Sequence, residues 1–381
     1  MKRAILLTIV FAAAPIAARA YAGDLLLRLG PEELVQAGGA NISVLGYSVP
    51  SLADWDNDGL NDLVIGEGPS SSTGKVRVYL NAGTASNPQF SGFTYVQSNG
   101  SDLTCPGSGC LGCFPRVVYW DADARKDLLV GQADGKVKIF LNIGTDENPT
   151  FDAGTFLQVG PAGSKTNIGV GARATPSAVD WNSNGKKDLV VGALDAKIHL
   201  FINEGTDAAP DFRVQTFAQA NGSDLLVSAG RSSPDVLDLD GDGKKDILTG
   251  NTNGQLFFYS NTGSDAEPNF AGYESVESDG VPIDLAGTPR SRPFVCDWTC
   301  DGYPDVLIGA GDSKVHLYQS IPQPGDMDKD YDVQWDDFAL LALQWGEMDC
   351  GQCGGADFFD DDKIDMLDVL TLAQHWLEGC E

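Results

Sequence analysis

The chain has 381 residues, with 54 acidic against 25 basic side chains and a formal net charge of −29 at pH 7. This negative charge disfavours nucleic-acid binding, because a phosphate backbone requires basic partners. Much of the acidic excess lies in repeated aspartate loops, where bound cations would neutralise it, so the charge itself favours metal binding.

The N-terminus has the pattern of a leader. Two basic residues precede an apolar run over residues 4–18, and residues 18–20 (Ala-Arg-Ala) offer a small-residue cleavage site. This predicts a signal peptide over residues 1–20, with a cut after Ala22 as the alternative. No later apolar run reaches the roughly 18 residues that span a bilayer. We therefore expect a secreted protein without a membrane span.

One sequence unit occurs five times between residues 50 and 320. Each copy has a proline, a short apolar strand, an aspartate-rich loop and a second strand that ends in glycine. The five copies begin at Pro50, Pro115, Pro176, Pro234 and Pro293. Units repeated at a near-constant period of about sixty residues bury their faces against one another.

Each copy continues with two more predicted strands. The second segment is continuously apolar, the third alternates apolar and polar residues, and a weaker fourth follows a Pro-x-Phe motif. The third segments are residues 75–80, 136–141, 197–202, 255–260 and 314–319; the fourth are 94–97, 155–159, 215–218 and 273–276. Four short antiparallel strands per unit predict one blade of a β-propeller.

The two ends of the array complement each other. The fifth copy stops after its third strand at Ser320, without a Pro-x-Phe motif, whereas residues 25–49 have the shape of a fourth strand and a lead-in. We therefore predict an all-β, five-bladed propeller over residues 21–320, closed by an N-terminal strand so that no sheet edge is exposed. An open array with a frayed last blade is the alternative.

The aspartate loops carry oxygen ligands at alternate positions around a glycine turn. Calcium takes about six to eight hard oxygen ligands, which this spacing supplies. The predicted ligands are Asp54, Asp56, Asp58 and Asp62; Asp121, Asp123 and Asp127; Asp180, Asn182, Asn184 and Asp188; Asp238, Asp240, Asp242 and Asp246; and Asp297, Asp301 and Asp305, with Thr299 in the second ligand position of the last loop. The alternative is an Asp/Gly-rich turn without an ion.

The second loop departs from the pattern. Tyr119 stands at its first ligand position and Ala124 replaces the glycine, so an ion is least expected there. Arg125 and Lys126 are basic residues in the same loop, and we expect them to take part of the place of the ion.

The pattern Asp-x-Asp-x-Asp-Gly-x-x-Asp, followed by Leu-Val-Ile-Gly and Asn-x-Gly-Thr, resembles the FG-GAP/VCBS repeat of integrin-like and secreted bacterial propellers. The resemblance covers most of residues 25–320. That family includes sugar-binding lectins, polysaccharide lyases and adhesion modules, so the resemblance implies the fold more firmly than the activity.

A short linker, residues 321–325, separates the array from a tail with a different composition. Residues 326–337 place acidic side chains around a twelve-residue loop, and a run with helical apolar spacing follows. The loop–helix arrangement recurs at residues 357–368. The predicted ligands are Asp326, Asp328, Asp330, Asp332 and Asp337 in the first loop and Asp357, Asp361 and Asp368 in the second.

The tail, residues 326–381, looks like a type I dockerin, a small α-helical domain that folds around two calcium ions. The resemblance implies a cohesin-like partner. Phe359 occupies a ligand position of the second loop, which puts its ion in doubt, and Trp335-Asp336 and Met366-Leu367 replace the small hydroxyl residues that usually contact the cohesin. The alternative is a generic EF-hand-like pair that caps the propeller.

The eight cysteines fall into three groups, and in an exported chain they favour disulfides. Their connectivity is left open, although Cys380 pairs most simply with Cys350 or Cys353. We expect Cys296 and Cys300 to pair with each other rather than bind a metal. The remaining group is Cys105, Cys110 and Cys113.

The three histidines do not form a catalytic motif. His199 and His316 occupy equivalent places in third strands, where other repeats have Arg77, Lys138 or Phe257. A position with such varied residues predicts an outward strand face and a structural role. His375 lies in the last predicted helix.

Arginine stands three residues before the blade-opening proline in the last three repeats, at Arg173, Arg231 and Arg290, with Arg292 nearby. Side chains there are expected to rim the central funnel and to bind a carboxylate sugar through bidentate hydrogen bonds. Salt bridges to neighbouring acidic loops are the alternative. Glu67 is the one acid candidate, and a single carboxylate is not a glycosidase pair.

These features predict a non-catalytic, calcium-binding propeller that binds a polysaccharide or glycoprotein and is tethered to a cohesin-type partner. The rival prediction is an enzyme, a polysaccharide lyase or glycoside hydrolase on the same scaffold. A purely structural adhesion repeat without a ligand pocket is the third.

Overall fold

The computed structural model describes residues 25, 27–69, 72–109, 111–121, 123–285, 287, 289–329, 333–346, 355–358 and 363–376. The predicted signal peptide lies outside these residues. Of the described helices, none has the length and apolar character needed to cross a membrane.

Five antiparallel sheets form the blades of the propeller. The innermost strands are Val49–Ala53, Cys113–Val118, Thr175–Val179, Pro234–Leu237 and Arg292–Cys296. The second strands are Asp62–Gly66, Asp127–Gln132, Asp188–Gly192, Asp246–Gly250 and Asp305–Gly309. The third strands are Thr73–Tyr79, Val137–Phe140, Ile198–Asn203, Leu256–Tyr259 and Val315–Tyr318. The outer strands are Thr94–Tyr95, Thr155–Phe156, Phe212–Phe217, Glu274–Ser275 and, in the fifth blade, Glu33–Leu34.

The ring is closed by the N-terminal segment. Glu33–Leu34 pairs antiparallel with the third strand of the fifth blade, with Glu33 opposite Leu317. Each innermost strand contacts the next around the axis, and that of the fifth blade contacts that of the first. The predicted number of blades and the predicted N-terminal closure are therefore confirmed.

A short hairpin, made of two strands of two residues each, follows each outer strand and reaches the next blade. The hairpins are Gln36–Ala37 with Ala40–Asn41, Gln97–Ser98 with Ser101–Asp102, Gln158–Val159 with Thr166–Asn167, Gln219–Ala220 with Ser223–Asp224, and Glu277–Ser278 with Val281–Pro282. In four places a hairpin bridges to the phenylalanine of a Pro-x-Phe motif, as Ser98 does to Phe151. In the fifth, Leu29 bridges to Ser278 and Ser320 and so takes the place of the missing phenylalanine.

Within the described residues, the hydrophobic core of the propeller is divided into five clusters, one between each pair of adjacent blades. The cluster between the fifth and first blades joins Leu307 and Leu317 to Leu63 and Ile65. The second strands supply the centre of every cluster and are completely buried. Their continuous apolar sequence follows from this burial on both faces.

A disulfide joins Cys105 to Cys113, with an S–S distance of 2.06 Å and Cα atoms 5.5 Å apart. It links the short strand Thr104–Pro106, which pairs with the third strand of the first blade, to the innermost strand of the second. The expected Cys296–Cys300 pair is wrong, because both thiols are free. Cys296 ends an innermost strand, and Cys300 lies exposed in the loop beyond it.

The tail contains helices α1 (Trp335–Leu343) and α2 (Met366–Gln374). Each begins at the end of an acidic loop, and its third residue, Asp337 or Asp368, is buried beneath that loop. Asp337 accepts hydrogen bonds from the backbone of Met327 and Gln334, as Asp368 does from Phe358 and Asp365. The structure therefore contains one loop–helix unit twice.

Several residues in the sequence predictions lie outside the described part of the tail. These are the predicted ligands Asp330, Asp332 and Asp361, the substituted position Phe359, and the cysteines Cys350, Cys353 and Cys380. Cys110 of the first cysteine group lies outside the described residues as well.

Candidate metal centres and channel arginines

In the first, third and fifth propeller loops, the first aspartate closes the loop by accepting backbone hydrogen bonds. Asp54 accepts from the N–H groups of Asp58 and Gly59, each at 3.1 Å. Asp180 and Asp297 make the same pair of bonds in the third and fifth loops. Such bonds bring alternate side chains of a short loop toward one centre.

Three groups of carboxylates in the described residues lie close enough to share one ion, with a ligand oxygen of each member within 4.8 Å of the others. They are Asp54, Asp56 and Asp58; Asp238, Asp240 and Asp246; and Asp326, Asp328 and Asp337. The first two groups are in propeller loops, and the third is in the first loop of the tail. Carboxylate oxygens at this spacing fit calcium.

The second ligand position of the propeller loops leaves buried oxygens without partners. Within the described residues, Asp56 Oδ1, Asn182 Oδ1 and Thr299 Oγ1 are buried and have no hydrogen-bond partner. All three stand at the same position of their loops. Burial, with the neighbouring charges of Asp58 and Asp54, raises the pKa of Asp56. A bound cation at this position would satisfy these oxygens and remove the carboxylate repulsion.

The last aspartate of each loop has a structural task that the sequence reasoning missed. Asp62 accepts hydrogen bonds from the backbone of Trp55 and Asn81, at 2.8 and 2.7 Å. The equivalent aspartates are Asp127, Asp188, Asp246 and Asp305, each with the same two bonds. Each carboxylate thus joins the loop to the end of the third strand.

Burial raises the pKa of these structural carboxyls. The pKa is raised to about 6 at Asp62 and Asp305 and to about 7 at Asp246. The backbone hydrogen bonds act in the opposite direction and stabilise the charged form. A cation in the loop would add to that stabilisation.

The second loop carries its own cation. Arg125 Nε donates to Asp123 Oδ2 at 2.6 Å, and this pairing lowers the pKa of Asp123. Lys126 turns instead to Asp146, 3.8 Å away, on the neighbouring turn. Of these two basic side chains, Arg125 is the one that contacts a predicted ligand of the loop.

The fourth loop has the most complete set of predicted ligands, and one of them also forms an ion pair with a basic residue. Lys244 forms an ion pair with Asp242, and Ser260 Oγ donates to Asp240 Oδ2 at 3.0 Å. Asp238 keeps the backbone bond that closes the loop, from Gly243 at 2.9 Å.

The first loop of the tail packs against the fifth loop of the propeller. Tyr303 Oη donates to Asp326 Oδ2 at 3.1 Å. Lys329 lies over the Tyr303 ring, with Nζ 5.8 Å from its centre, and donates to the Asp301 carbonyl. The fifth propeller loop and the first tail loop are therefore in direct contact.

The predicted outward face for the histidines is wrong. His199 and His316 are both buried, and each bonds through Nε2 to an aspartate of the preceding turn, Asp195 or Asp312, at 3.2 Å. The other ring nitrogen meets Gln215 or Glu32 on the adjoining segment. The outer strand covers this position, so polar residues there require partners.

Glu67 is held in an ion pair. Its Oε2 lies 2.7 Å from Arg77 and accepts a hydrogen bond from the Leu45 backbone at 3.2 Å. Both side chains are buried. The structure therefore places Glu67 with Arg77, apart from the channel arginines.

The three predicted arginines meet in the central channel together with Arg292. Arg290 and Arg292 lie over the Tyr47 ring, 4.6 and 4.9 Å from its centre, and Arg173 and Arg292 lie 5.9 and 5.7 Å from Phe114. Arg173 and Arg292 are completely buried.

Burial and the neighbouring cations perturb these guanidinium groups. Burial, and to a smaller extent the charge of Arg231, lowers the pKa of Arg173 to about 9. Burial followed by the charges of Arg173, Arg231 and Arg290 lowers the pKa of Arg292 well below its usual value. Within the described residues, these arginines form no salt bridges to the acidic loops, which was the alternative.

Comparisons with known proteins agree with this architecture. Residues 180–249 and 238–308 match the family of the FG-GAP-like repeat. The chain is 28% identical to integrin alpha-4 of Xenopus laevis over 159 residues, which cover 38% of this chain and 15% of that protein. The protein is thus a five-bladed propeller with aspartate loops. The matched FG-GAP-like repeats lie within residues 180–308, in the third to fifth blades.

Several solved structures align with this chain at low sequence identity. A GH62 alpha-L-arabinofuranosidase of Coprinopsis cinerea aligns with a TM-score of 0.48 at 12% identity, over 77% of this chain and 97% of that one. A GH43_1 enzyme of Xanthomonas citri aligns with a TM-score of 0.42 at 9% identity, over 74% and 90%. The Tc holotoxin pore of Photorhabdus luminescens aligns with a TM-score of 0.37 at 16% identity, over 75% and 12%.

Proposed function

We propose that the chain is an extracellular, calcium-stabilised propeller that binds a carbohydrate or glycoprotein without cleaving it. The observation that carries this proposal is a groove of about 760 Å³ between the fifth and first blades, where the ring closes. Its volume is in the range of ligand sites. We call it the seam groove; Glu33, Gln36, Asn87, Gln89, Trp298 and Gln319 are among its lining residues.

The chemistry of the seam groove suits binding better than hydrolysis. Amide side chains donate and accept hydrogen bonds, as sugar hydroxyls require. Glu33 is the one carboxylate among the described lining residues. Glycoside hydrolysis uses a pair of carboxyl groups, which the groove does not supply from those residues.

A polysaccharide panel tests this function with a matched pair of variants. Asn87→Ala alters the seam groove, whereas Asn148→Ala changes the equivalent residue of the next blade, whose backbone makes the same bond to a threonine hydroxyl. We expect wild type and Asn148→Ala to retain one glycan equally, and Asn87→Ala to bind it about fivefold more weakly. Release of new reducing or unsaturated ends would instead favour the glycoside hydrolase or lyase.

Calcium is the cofactor that the loop chemistry supports. The unpartnered oxygens of Asp56, Asn182 and Thr299 recur at one loop position. Oxygen-only ligand sets on short loops favour calcium over zinc. In this proposal the ions stabilise the blades, and the second loop uses Arg125 in place of an ion.

The tail is proposed to dock onto a protein partner of the cohesin type. Its helices expose apolar side chains to solvent: Trp335 is 72% exposed, Leu343 81% and Met366 66%. Trp335 and Met366 are the first residues of α1 and α2, so the duplicated units present similar surfaces. Exposed apolar patches of this kind mark interaction sites.

A further inference from the structure

The opening of the central channel that is opposite to the aspartate loops is lined by cations. Arg173, Arg231, Arg290 and Arg292 stand at or just before the start of innermost strands, and the aspartate loops follow the other ends of those strands. We call this group the arginine mouth. Arg231 and Arg290 are half-buried, so the mouth is reached from solvent.

Nitrogen atoms in the arginine mouth lack partners. Within the described residues, Nε and Nη2 of Arg173, Nε and Nη2 of Arg292, Nη1 of Arg231 and Nε of Arg290 are buried without a hydrogen bond. The bonds that do form go to neutral carbonyls, from Arg173 to Ser232 at 3.2 Å and from Arg292 to Ser48 at 3.3 Å. Buried cations without a counter-charge are strongly destabilising.

The backbone of the mouth is strained as well. Arg173, Arg231 and Arg290 have φ angles of 61°, 60° and 81°, in the left-handed region that favours glycine. This conformation is unfavourable for a residue with a Cβ atom. The same repeat position therefore combines strain, burial and like charge in three blades.

The next layer of the channel provides an internal comparison. Arg116 is also buried there, and burial lowers its pKa, while the charge of Asp235 acts in the opposite direction. Asp235 is fixed by a hydrogen bond from the Val295 backbone at 2.7 Å. The fold thus supplies a counter-charge to the deeper arginine, while the described residues provide none to the mouth.

We propose that the arginine mouth binds a tetrahedral oxyanion of the phosphate or sulfate class. Such a group carries more charge and more acceptor oxygens than a carboxylate, and guanidinium forks bind it through paired hydrogen bonds. The anion is either a free ion or an ester group on a larger molecule such as a sulfated glycan. This site shares none of its residues with the seam groove and does not depend on the proposed function.

Isothermal titration of the calcium-loaded chain with sodium sulfate tests the proposal, with sodium chloride at equal ionic strength as reference. Sulfate is the probe because phosphate precipitates with calcium. We expect saturable binding of one sulfate per chain. Arg290→Gln should weaken it at least about tenfold. Arg213→Gln should leave it unchanged, because Arg213 is exposed and paired with Asp211 and Glu204.

Thermal melting gives a second test, because the relative stability of Arg290→Gln and wild type should change when sulfate is added. At low ionic strength without sulfate, Arg290→Gln should melt no lower than wild type, because it relieves like-charge repulsion. With sulfate, wild type should melt higher than Arg290→Gln. Binding of a sulfated disaccharide more tightly than inorganic sulfate identifies an ester group as the source, and equal or weaker binding identifies the free ion.

Wild-type protein that gives no more heat with sulfate than with chloride would overturn the site. Equal sulfate affinity of Arg290→Gln and wild type would overturn it too. Crystals soaked in selenate provide the structural check, with an anomalous peak expected among the four guanidinium groups.

Discussion

At the scale of single residues, the second ligand position distinguishes the first, third and fifth aspartate loops from the second loop. Asp56, Asn182 and Thr299 each leave a buried oxygen without a partner in the described structure. In the second loop the corresponding Asp121 accepts a backbone hydrogen bond from Asp123, at 3.2 Å, and Arg125 neutralises its neighbour. We propose that the first, third and fifth loops bind an ion and that the second loop is complete without one.

Asp56→Ala and Asp121→Ala should therefore differ in their response to calcium. We expect Asp56→Ala to reduce the calcium-dependent rise in Tm by about 2–4 °C, because one ligand is lost from a site that binds only the folded state. Asp121→Ala should keep the full rise. Melting curves with calcium and with chelator measure both, and equal losses in the two variants would refute the distinction.

At the scale of secondary-structure elements, the propeller is closed by a segment far from its partner in sequence. Leu29 is 3% exposed and fills the place that a Pro-x-Phe phenylalanine fills in the other blades. The adjoining strand Glu33–Leu34 covers the edge of the fifth blade. Without this segment the third strand there would present unpaired backbone groups to other chains.

Leu29→Ala should lower the free energy of unfolding by about 2–4 kcal/mol, since it leaves a cavity at the closure. Leu226→Ala is the control, because Leu226 is 61% exposed and should cost less than about 0.5 kcal/mol. Urea titration at fixed calcium measures both changes. Similar costs for the two substitutions would show that the closure does not support the ring.

At the scale of the whole molecule, net charge and fold are coupled through the loops. The chain carries a formal charge of −29, and within the described residues two propeller loops and one tail loop bring three carboxylates together. Without cations these carboxylates repel one another and oppose the compact state. Bound calcium would neutralise them and stabilise the blades whose loops bind an ion.

Chelation of calcium should lower the Tm of the whole protein. An ion at a hundred times its dissociation constant contributes about 2.7 kcal/mol per site, so several sites produce a large shift. Added monovalent salt should recover part of the loss by screening. Calorimetry with and without chelator measures the effect, and an unchanged melt would remove calcium from the proposal.

Much of the fold could be predicted from sequence because its signals are local and repeated. The proline, the buried second strand and the aspartate loop recur in order, so the number of blades and the positions of most strands follow from the pattern alone. The unfinished fifth repeat also indicated that the N-terminus closes the ring. These features depend on neighbours within one blade.

The remainder depends on which segments meet in space. The substitution of Leu29 for a phenylalanine, the burial of His199 and the free state of Cys296 and Cys300 depend on contacts that spacing does not reveal. The arginine mouth is the clearest case. The sequence determined that three arginines share a repeat position, but only closure of the ring packed them beside Arg292 with no counter-charge among the described residues, because convergence on an axis is a property of the assembled blades.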